Sequence, residues 1–412
     1  MILNLEGTSK NQFEIGNLND TYDLILKKSG SMTESLTFTF PANKGTSGQV
    51  LQTDGNGTTS WVTSGASNDY RENHIINGAH NIWQDGTSFA AVANGTYGPE
   101  MFRYSKVGAM VDTMSRSTNI PSGSISKYSL KTICTTADTS IASTDLCMIE
   151  YRMEGYDYQK VRGKNIIVNF KIYATVTGTY CLALKNSGSN RSYVQEYTVN
   201  ASNTWQTINV LFNLSGAEDS GTWDIENGIG LKICFTKVAG SNYQTTAGSW
   251  QNGNYVATSN QVNACNAVDN EFIIHEFQLL EGTSNPSFYR QKGKSFQDEL
   301  AMCQRYYEKS YSLNTAPGTA TYEGAISTYA IGTSSNLYGG TRSFNTSKRI
   351  VPTMISYSPA TGTAYRVSDG GDNASGTTSY RSQWATGHPV KDSGSWAAGT
   401  IYVWQWTANA RM

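Results

Sequence analysis

The chain has 412 residues and carries 31 Lys+Arg against 32 Asp+Glu, a formal net charge of -1. That length allows about two or three domains, and the balanced charge argues against nucleic acid or an anionic membrane as partner. Charged residues are only 15% of the chain, low for a cytoplasmic enzyme, so Ser, Thr, Asn, Gln and Gly must supply the polar surface. With 25 Tyr, 9 Trp and 39 Gly, the composition predicts short strands, tight turns and a surface suited to neutral hydrogen bonds and ring stacking.

In chain order, residues 1–66 form the first predicted unit. Thr21–Leu26 reads as a strand, and Leu36–Pro41 alternates apolar and polar residues as a half-buried strand does. Gly48–Thr53, the turn signal Asp54–Gly57 and Ser60–Val62 complete it. So small a piece buries too little apolar area to fold alone. A homotrimer sharing Leu36, Phe38, Phe40, Val50 and Trp61 at its interface is therefore expected. Residues 63–70 are small and polar and read as a neck.

Residues 67–293 read as a run of alternating strands. Ile166, Val168, Phe170 and Ile172 share one face. Tyr180, Leu182 and Leu184 share another, as do Ile208, Val210 and Phe212, and then Ile229, Leu231, Ile233 and Phe235. Phe272–Leu280 closes the series. With no helical period between them, these runs predict an antiparallel β-sandwich of jelly-roll type. The third unit, 294–412, opens on a helix. Ser295 is an N-cap with Asp298 three residues on, and Phe296, Leu300, Cys303 and Tyr307 recur at helical spacing. Glu299, Gln304, Arg305 and Glu308 are predicted to face mostly outward, and the helix to end near Ser310. Strands at Ser327–Ile331, Met354–Tyr357 and Ile401–Thr407 then predict a small second sandwich. The fold class is thus mainly β, with N-terminal shaft strands, a jelly roll, one linking helix and a C-terminal β domain.

Three blocks carry a family likeness. Phe40–Gly57 followed by Ser60–Val62 is similar to a recurrent shaft segment of phage fibre proteins. Asn73–Gly78 and Asn81–Phe89 resemble the opening of carbohydrate-binding-module-like domains in phage structural proteins. Phe277–Thr283, Pro286–Arg290 and Glu299–Lys309 resemble the closing strand and helix of the same proteins. Asp85 departs from the pattern, which has Arg there, and no counterpart of a following "ADRW" segment stands near Met101–Tyr104. The resemblance implies a virion protein: a tail fibre, or a head fibre or capsid decoration, displayed on the particle surface and assembled in bacterial cytoplasm. Its partners would be two further copies, other virion proteins held through the N-terminus, and a host surface glycan or receptor.

The sequence gives little sign of catalysis. His74, His80, His275 and His388 show no metalloprotease spacing, and no G-x-S-x-G elbow is present. His275 alternates with Ile273, Phe277 and Leu279 and is expected in the core. Glycan cleavage would need two carboxylates facing a groove. Glu154 with Asp157, or Glu218 with Asp224, are the candidate pairs, but turn acids more often cap backbone groups. No cofactor is expected. Ser368–Asn373 could hold Ca²⁺ on oxygen ligands, though an Asx/Gly turn is the better reading. Cys134, Cys147, Cys181, Cys234, Cys265 and Cys303 form no metal-ligand spacing and are expected as buried free thiols. Trp250, Tyr255, Trp384 and Trp396 lie in Gly/Ser/Asn-rich segments and are the candidate sugar platforms. No apolar run reaches the ~20 residues of a membrane span, and Met1–Glu6 lacks the basic start of a secretory signal, so neither membrane insertion nor secretion is expected.

Overall fold

Alternation along the chain becomes two facing sheets. The computed structural model describes 71–284, 294–330, 343–369 and 397–412, together with 39–46, 49–54, 56 and 58–63. The strands Gln12–Ile15, Leu24–Lys27, Asn336–Ser343, Thr377–Ser379 and Gly387–Ser393 are described by backbone pairing. The chain divides into two units, Met1–Asp69 and Tyr70–Met412.

In the first unit, Gln12–Ile15 pairs with Leu24–Lys27 and Gln49–Thr53 with Thr59–Thr63, both antiparallel. Asp54 Oδ1 closes the second hairpin by accepting from the amides of Asn56 and Thr58 at 2.7 and 3.1 Å. Trp61 lies against Gly45, where any side chain would meet its ring, and its indole N–H donates to Asn43 O at 2.7 Å. Phe40 is 65% exposed and Val50 47%. Leu36 and Phe38 lie outside the described residues.

In the second unit, one sheet runs Gln206–Asn213, Asn165–Ala174, Glu271–Glu281, Ser129–Thr136, Val111–Ser117 and Ser88–Phe89. The other runs Trp250–Asn252, Arg191–Val199, Gly178–Lys185, Ile229–Ala239, Leu146–Glu154 and Phe102–Val107. Successive strands repeatedly cross between the sheets, so most in-sheet neighbours are distant in sequence, as in a jelly roll, apart from the consecutive pairs Val111–Ser117 with Ser129–Thr136 and Gly178–Lys185 with Arg191–Val199. The chain is mostly β, with this β-sandwich at its centre. The predicted inward faces meet in one core, where Phe170, Phe235 and Phe277 pack edge to face at 5.0 and 5.1 Å. Each such pair adds roughly 0.5–1.5 kcal/mol beyond its buried area.

The outer face of the second sheet is also buried. Cys181, Ala183, Val194 and Cys234 are covered by Val256, Ala257 and Tyr255 of the segment crossing over them. Thr236 Oγ1 donates to Val256 O at 2.7 Å and Tyr255 N to Ser192 Oγ at 3.1 Å, which pins that segment down.

The expected capping box is present: Ser295 Oγ accepts from the Asp298 amide and Asp298 accepts from the Ser295 amide. The helix, however, spans Phe296–Gln304 and stops well before Ser310. Tyr307–Lys309 instead becomes a strand, with Tyr307 opposite Asn409 and Lys309 opposite Thr407. Tyr307 favours that pleated environment. The expected outward face is corrected as well. Glu299, Glu308 and the Arg305 guanidinium turn toward the protein: Glu299 accepts from Asn77 N at 2.9 Å, and Glu308 from Asn345 N at 3.0 Å and from Lys348. Ile401–Asn409 is the spine of the C-terminal sheet, pairing with Tyr307–Lys309, Ile326–Tyr329 and Thr353–Tyr357. A second helix, Gly155–Val161, interrupts the run read as strands only. Gly155 is required there, because a Cβ would come within 2.5 Å of the Glu226 backbone.

Glu276 shows how the sandwich holds its buried charges. It lies at a strand irregularity with φ +48° and accepts from Ile125 N at 2.9 Å and from the Lys171 ammonium at 2.6 Å. Burial pushes its carboxyl up, but the His275 ring and Lys171 prevail and hold it at about 2, against an ordinary 4.5. A depressed carboxylate stabilises fully above its unfolded value and loses that contribution as pH falls through its folded one. Urea unfolding at stepped pH should therefore show about 3 kcal/mol lost between pH 4.5 and 2 through this residue. Glu276→Gln should flatten that part of the curve; an unchanged acid limb would show that Glu276 is not the group responsible.

Candidate functional site

A cleft of about 220 Å³ opens at one end of the sandwich, lined by Glu72, His74, Glu154, Tyr156, Asp157, Lys160, Lys294, Met302, Arg305 and Tyr306 among others. Three segments build it. The 72–76 segment is tied to the last sandwich strand by Asn73, whose Oδ1 accepts from Ile75 N and Leu279 N, both at 3.1 Å. The helix Gly155–Val161 supplies Tyr156, Asp157 and Lys160. The helix Phe296–Gln304 and its C-cap supply Met302 and Arg305.

The cleft floor is fixed and its rim is free. Glu154 is buried with both oxygens engaged: Arg305 Nη2 at 2.6 Å, Arg305 Nε at 2.7 Å and Tyr306 Oη at 2.7 Å. Lys294 Nζ donates to Asn73 O at 2.9 Å. His74 is buried, its Nε2 3.5 Å from Glu281 and its Nδ1 without a hydrogen-bond partner. Burial lowers its pKa against the pull of Glu72 and Glu281, which favours the neutral ring. On the rim, Lys160 Nζ lies 3.3 Å from Asp157 and 3.7 Å from Glu72, and these side chains remain partly open to solvent. Tyr156 is 51% exposed and offers its ring beside them. The result is a small polar recess with one open aromatic face and several loosely held charged donors and acceptors. Its volume is below the roughly 300–1,000 Å³ of drug-sized sites and suits a single sugar-sized group.

The other sequence candidates fall elsewhere. Trp250 is half-buried on an edge strand; its N–H donates to Asn213 O at 3.0 Å and Arg191 lies over its ring at 5.9 Å. Tyr255 is half-buried over Gly253, where a Cβ would meet its ring at 2.4 Å. Trp384 and Trp396 lie outside the described residues. Of the Ser368–Asn373 loop, only Ser368 and Asp369 are described, and Ser368 pairs its backbone with Val403. Glu218 is taken by Arg162 and by the Tyr158 hydroxyl at 3.1 Å, and Asp224 caps the amides of Glu226 and Gly228. Glu154 and Asp157 do share the cleft, but the clasp on Glu154 ties it to Arg305 and Tyr306. All six cysteines are buried free thiols. Among the described residues, no helix is long and apolar enough to cross a membrane.

The cleft escaped the sequence reading because its residues come from three separated segments. Their blocks were visible, but as a likeness whose parts turn out to build the frame. Asn77 is one hub: its side chain donates to Ile82 O and Glu100 O and accepts from Ile82 N. Asp85, where the likeness has Arg, receives Arg411.

No protein-family model matches the chain, and no curated protein matches it. Among solved structures, it is similar to the enzymatically active domain of bacteriophage CBA120 tailspike protein 4, at 13% identity and a TM-score of 0.29, over 47% of this chain and 21% of that one. The chain thus spans about a fifth of that tailspike chain. It is also similar to a structure described as "CBM4 structure and function", at 12% identity and TM-score 0.28, over 50% of this chain and 99% of that one. A third is the family 11 carbohydrate-binding module of a cellulosomal cellulase of Clostridium thermocellum, at 12% identity and TM-score 0.26, over 48% and 98% of the two chains. The sandwich itself is established by the strand pairing above.

Proposed function

We propose that this chain is a non-catalytic bacteriophage virion protein that binds a host surface glycan in the cleft beside Tyr156. The observation that carries the reading is the cleft itself: an exposed tyrosine ring flanked by Asp157, Lys160 and Glu72. A pyranose would stack on the ring while its hydroxyls exchange hydrogen bonds with those side chains. Phage origin is supported by the sequence blocks that resemble fibre proteins. Homotrimer formation through residues 1–66 is supported by Phe40 and Val50, which the single chain leaves open. Residues 1–66 would also dock to other virion proteins. One such site binds weakly, on the order of millimolar, and three sites on one stalk raise avidity steeply.

The test is adsorption of the purified full chain to host cells, with its oligomeric state measured by sedimentation. The expected result is a trimer that coats cells and competes with phage. A monomer at micromolar concentration would overturn the trimer, and absent adsorption the receptor role. Release of new reducing ends from host polysaccharide would move the protein to glycan cleavage. Locating the chain in an electron-microscopy map of the virion separates tail fibre from capsid decoration.

A further inference from the structure

Inside the sandwich core, chemistry gathers that packing alone does not need. Asp112, Cys147 and Cys265 place a carboxylate oxygen and two sulfurs within 4.8 Å of one another, and all three residues are buried. They come from the strand Val111–Ser117 in one sheet, the strand Leu146–Glu154 in the other, and the segment leading into Glu271–Glu281. The Asp112 carboxylate is used unevenly. Its Oδ2 receives Lys237 Nζ at 2.5 Å and Tyr104 Oη at 2.9 Å, with Cys147 Sγ at 3.5 Å. Its Oδ1 is buried with no hydrogen-bond partner at all. An orphaned carboxylate oxygen in a dry interior is strongly unfavourable, because it has lost water and gained nothing.

We propose that this cluster is a structural site for a thiophilic divalent cation of the zinc type, bound by the Asp112 carboxylate, Cys147 Sγ and Cys265 Sγ. Donors about 2.0–2.3 Å from zinc stand roughly 3.5–4 Å apart in tetrahedral geometry, which the present spacing approaches. Cys134 Sγ, on the neighbouring strand Ser129–Thr136, donates to the carbonyls of Thr136 at 3.2 Å and Cys265 at 3.7 Å. Charge supports the assignment. One carboxylate, two thiolates, a divalent cation and the Lys237 ammonium sum to zero, so a dry core would hold the set without a residual charge. Loading releases the two thiol protons to solvent as the sulfurs take up the metal. Lys237 and Tyr104 act as the outer shell that orients Asp112. With ligands from both sheets, the ion would staple the sandwich, and it must enter as the chain folds, since the site is closed.

The full chain, produced in zinc-supplemented cells and passed through metal-free buffer, is analysed for metal. One zinc per chain is expected. Cys303→Ser, altering a buried thiol outside the cluster, should retain it; Cys147→Ser and Cys265→Ser should each lose at least tenfold. Because a buried serine can also unfold the chain, the unaltered protein is refolded with cadmium and, separately, in chelator. A thiolate-to-cadmium charge-transfer band and a higher Tm with metal than with chelator are expected. Metal-free protein, no such band and equal Tm values would overturn the site and leave Asp112 Oδ1 to a buried water.

Discussion

Replacing Arg411 with Ala is expected to destabilise the fold by about 3–5 kcal/mol, a large share of the 5–15 kcal/mol typical of a folded protein. The Arg411 guanidinium is almost fully buried. It bonds Glu100 through Nε at 3.1 Å and through Nη2, reaches Asp85 through Nη1, and lies 3.8 Å above the Tyr307 ring. Glu100 is fully buried, and burial drives its carboxyl up; Arg411 is what opposes that. Without Arg411, Glu100 becomes an uncompensated buried charge. Its folded pKa, already raised by burial, would then rise further, so the variant's stability should fall more steeply as pH rises through the unfolded value. Guanidinium melts at two pH values check this: the deficit should be smaller near pH 4 than near pH 8. Arg411→Lys should rescue little, since an ammonium can neither make the paired bonds nor stack as a planar group. Adding Glu100→Gln to Arg411→Ala should recover part of the loss, because the two residues share one network. A deficit under 1 kcal/mol, independent of pH, would show that the clasp carries little.

Gly78→Ala is expected to cost about 4 kcal/mol or more, or to prevent folding. A Cβ at Gly78 would lie 2.1 Å from Phe277 O, in a contact of backbone against backbone where no flexible side chain can yield. The same two residues are already joined by Phe277 N donating to Gly78 O at 2.9 Å. Moving them apart would pull Asn77 off its partners at Ile82 and Glu100 and disturb the 72–76 wall of the cleft. Gly123 provides the control. Its φ is +76°, but a Cβ there meets nothing within 4 Å, so Gly123→Ala should cost only about 1 kcal/mol, the strain of a left-handed alanine. Equal Tm values for the two variants would contradict the packing argument.

Legibility in the sequence followed the range of the physics. Ile166, Val168, Phe170 and Ile172 announce a strand because side-chain alternation is local, and each is buried as read. Cys181 and Cys234 on the opposite face are expected as buried thiols, but what covers them and Ala183 is not legible, because it comes from Val256 and Ala257, far along the chain. Ser295 and Asp298 fixed the helix start through a contact three residues long. Its end at Gln304 depends on strand Ile401–Asn409, about a hundred residues later, which claims Tyr307–Lys309. The seven-residue helix Gly155–Val161 was too short to show a period. The aromatics read as platforms were chosen for their loop-like neighbours. Trp250 and Tyr255 are instead packed against Arg191 and Gly253, while Tyr156, with the open ring, sat in a segment read for its acids.

The most direct measurement is calorimetric titration of the full chain with host surface polysaccharide, beside Tyr156→Ala and Lys160→Ala variants whose folding is confirmed by circular dichroism. The account predicts saturable binding that falls at least tenfold in the Tyr156→Ala chain and less in the Lys160→Ala chain. Binding of equal strength in all three proteins would place the glycan elsewhere and contradict it.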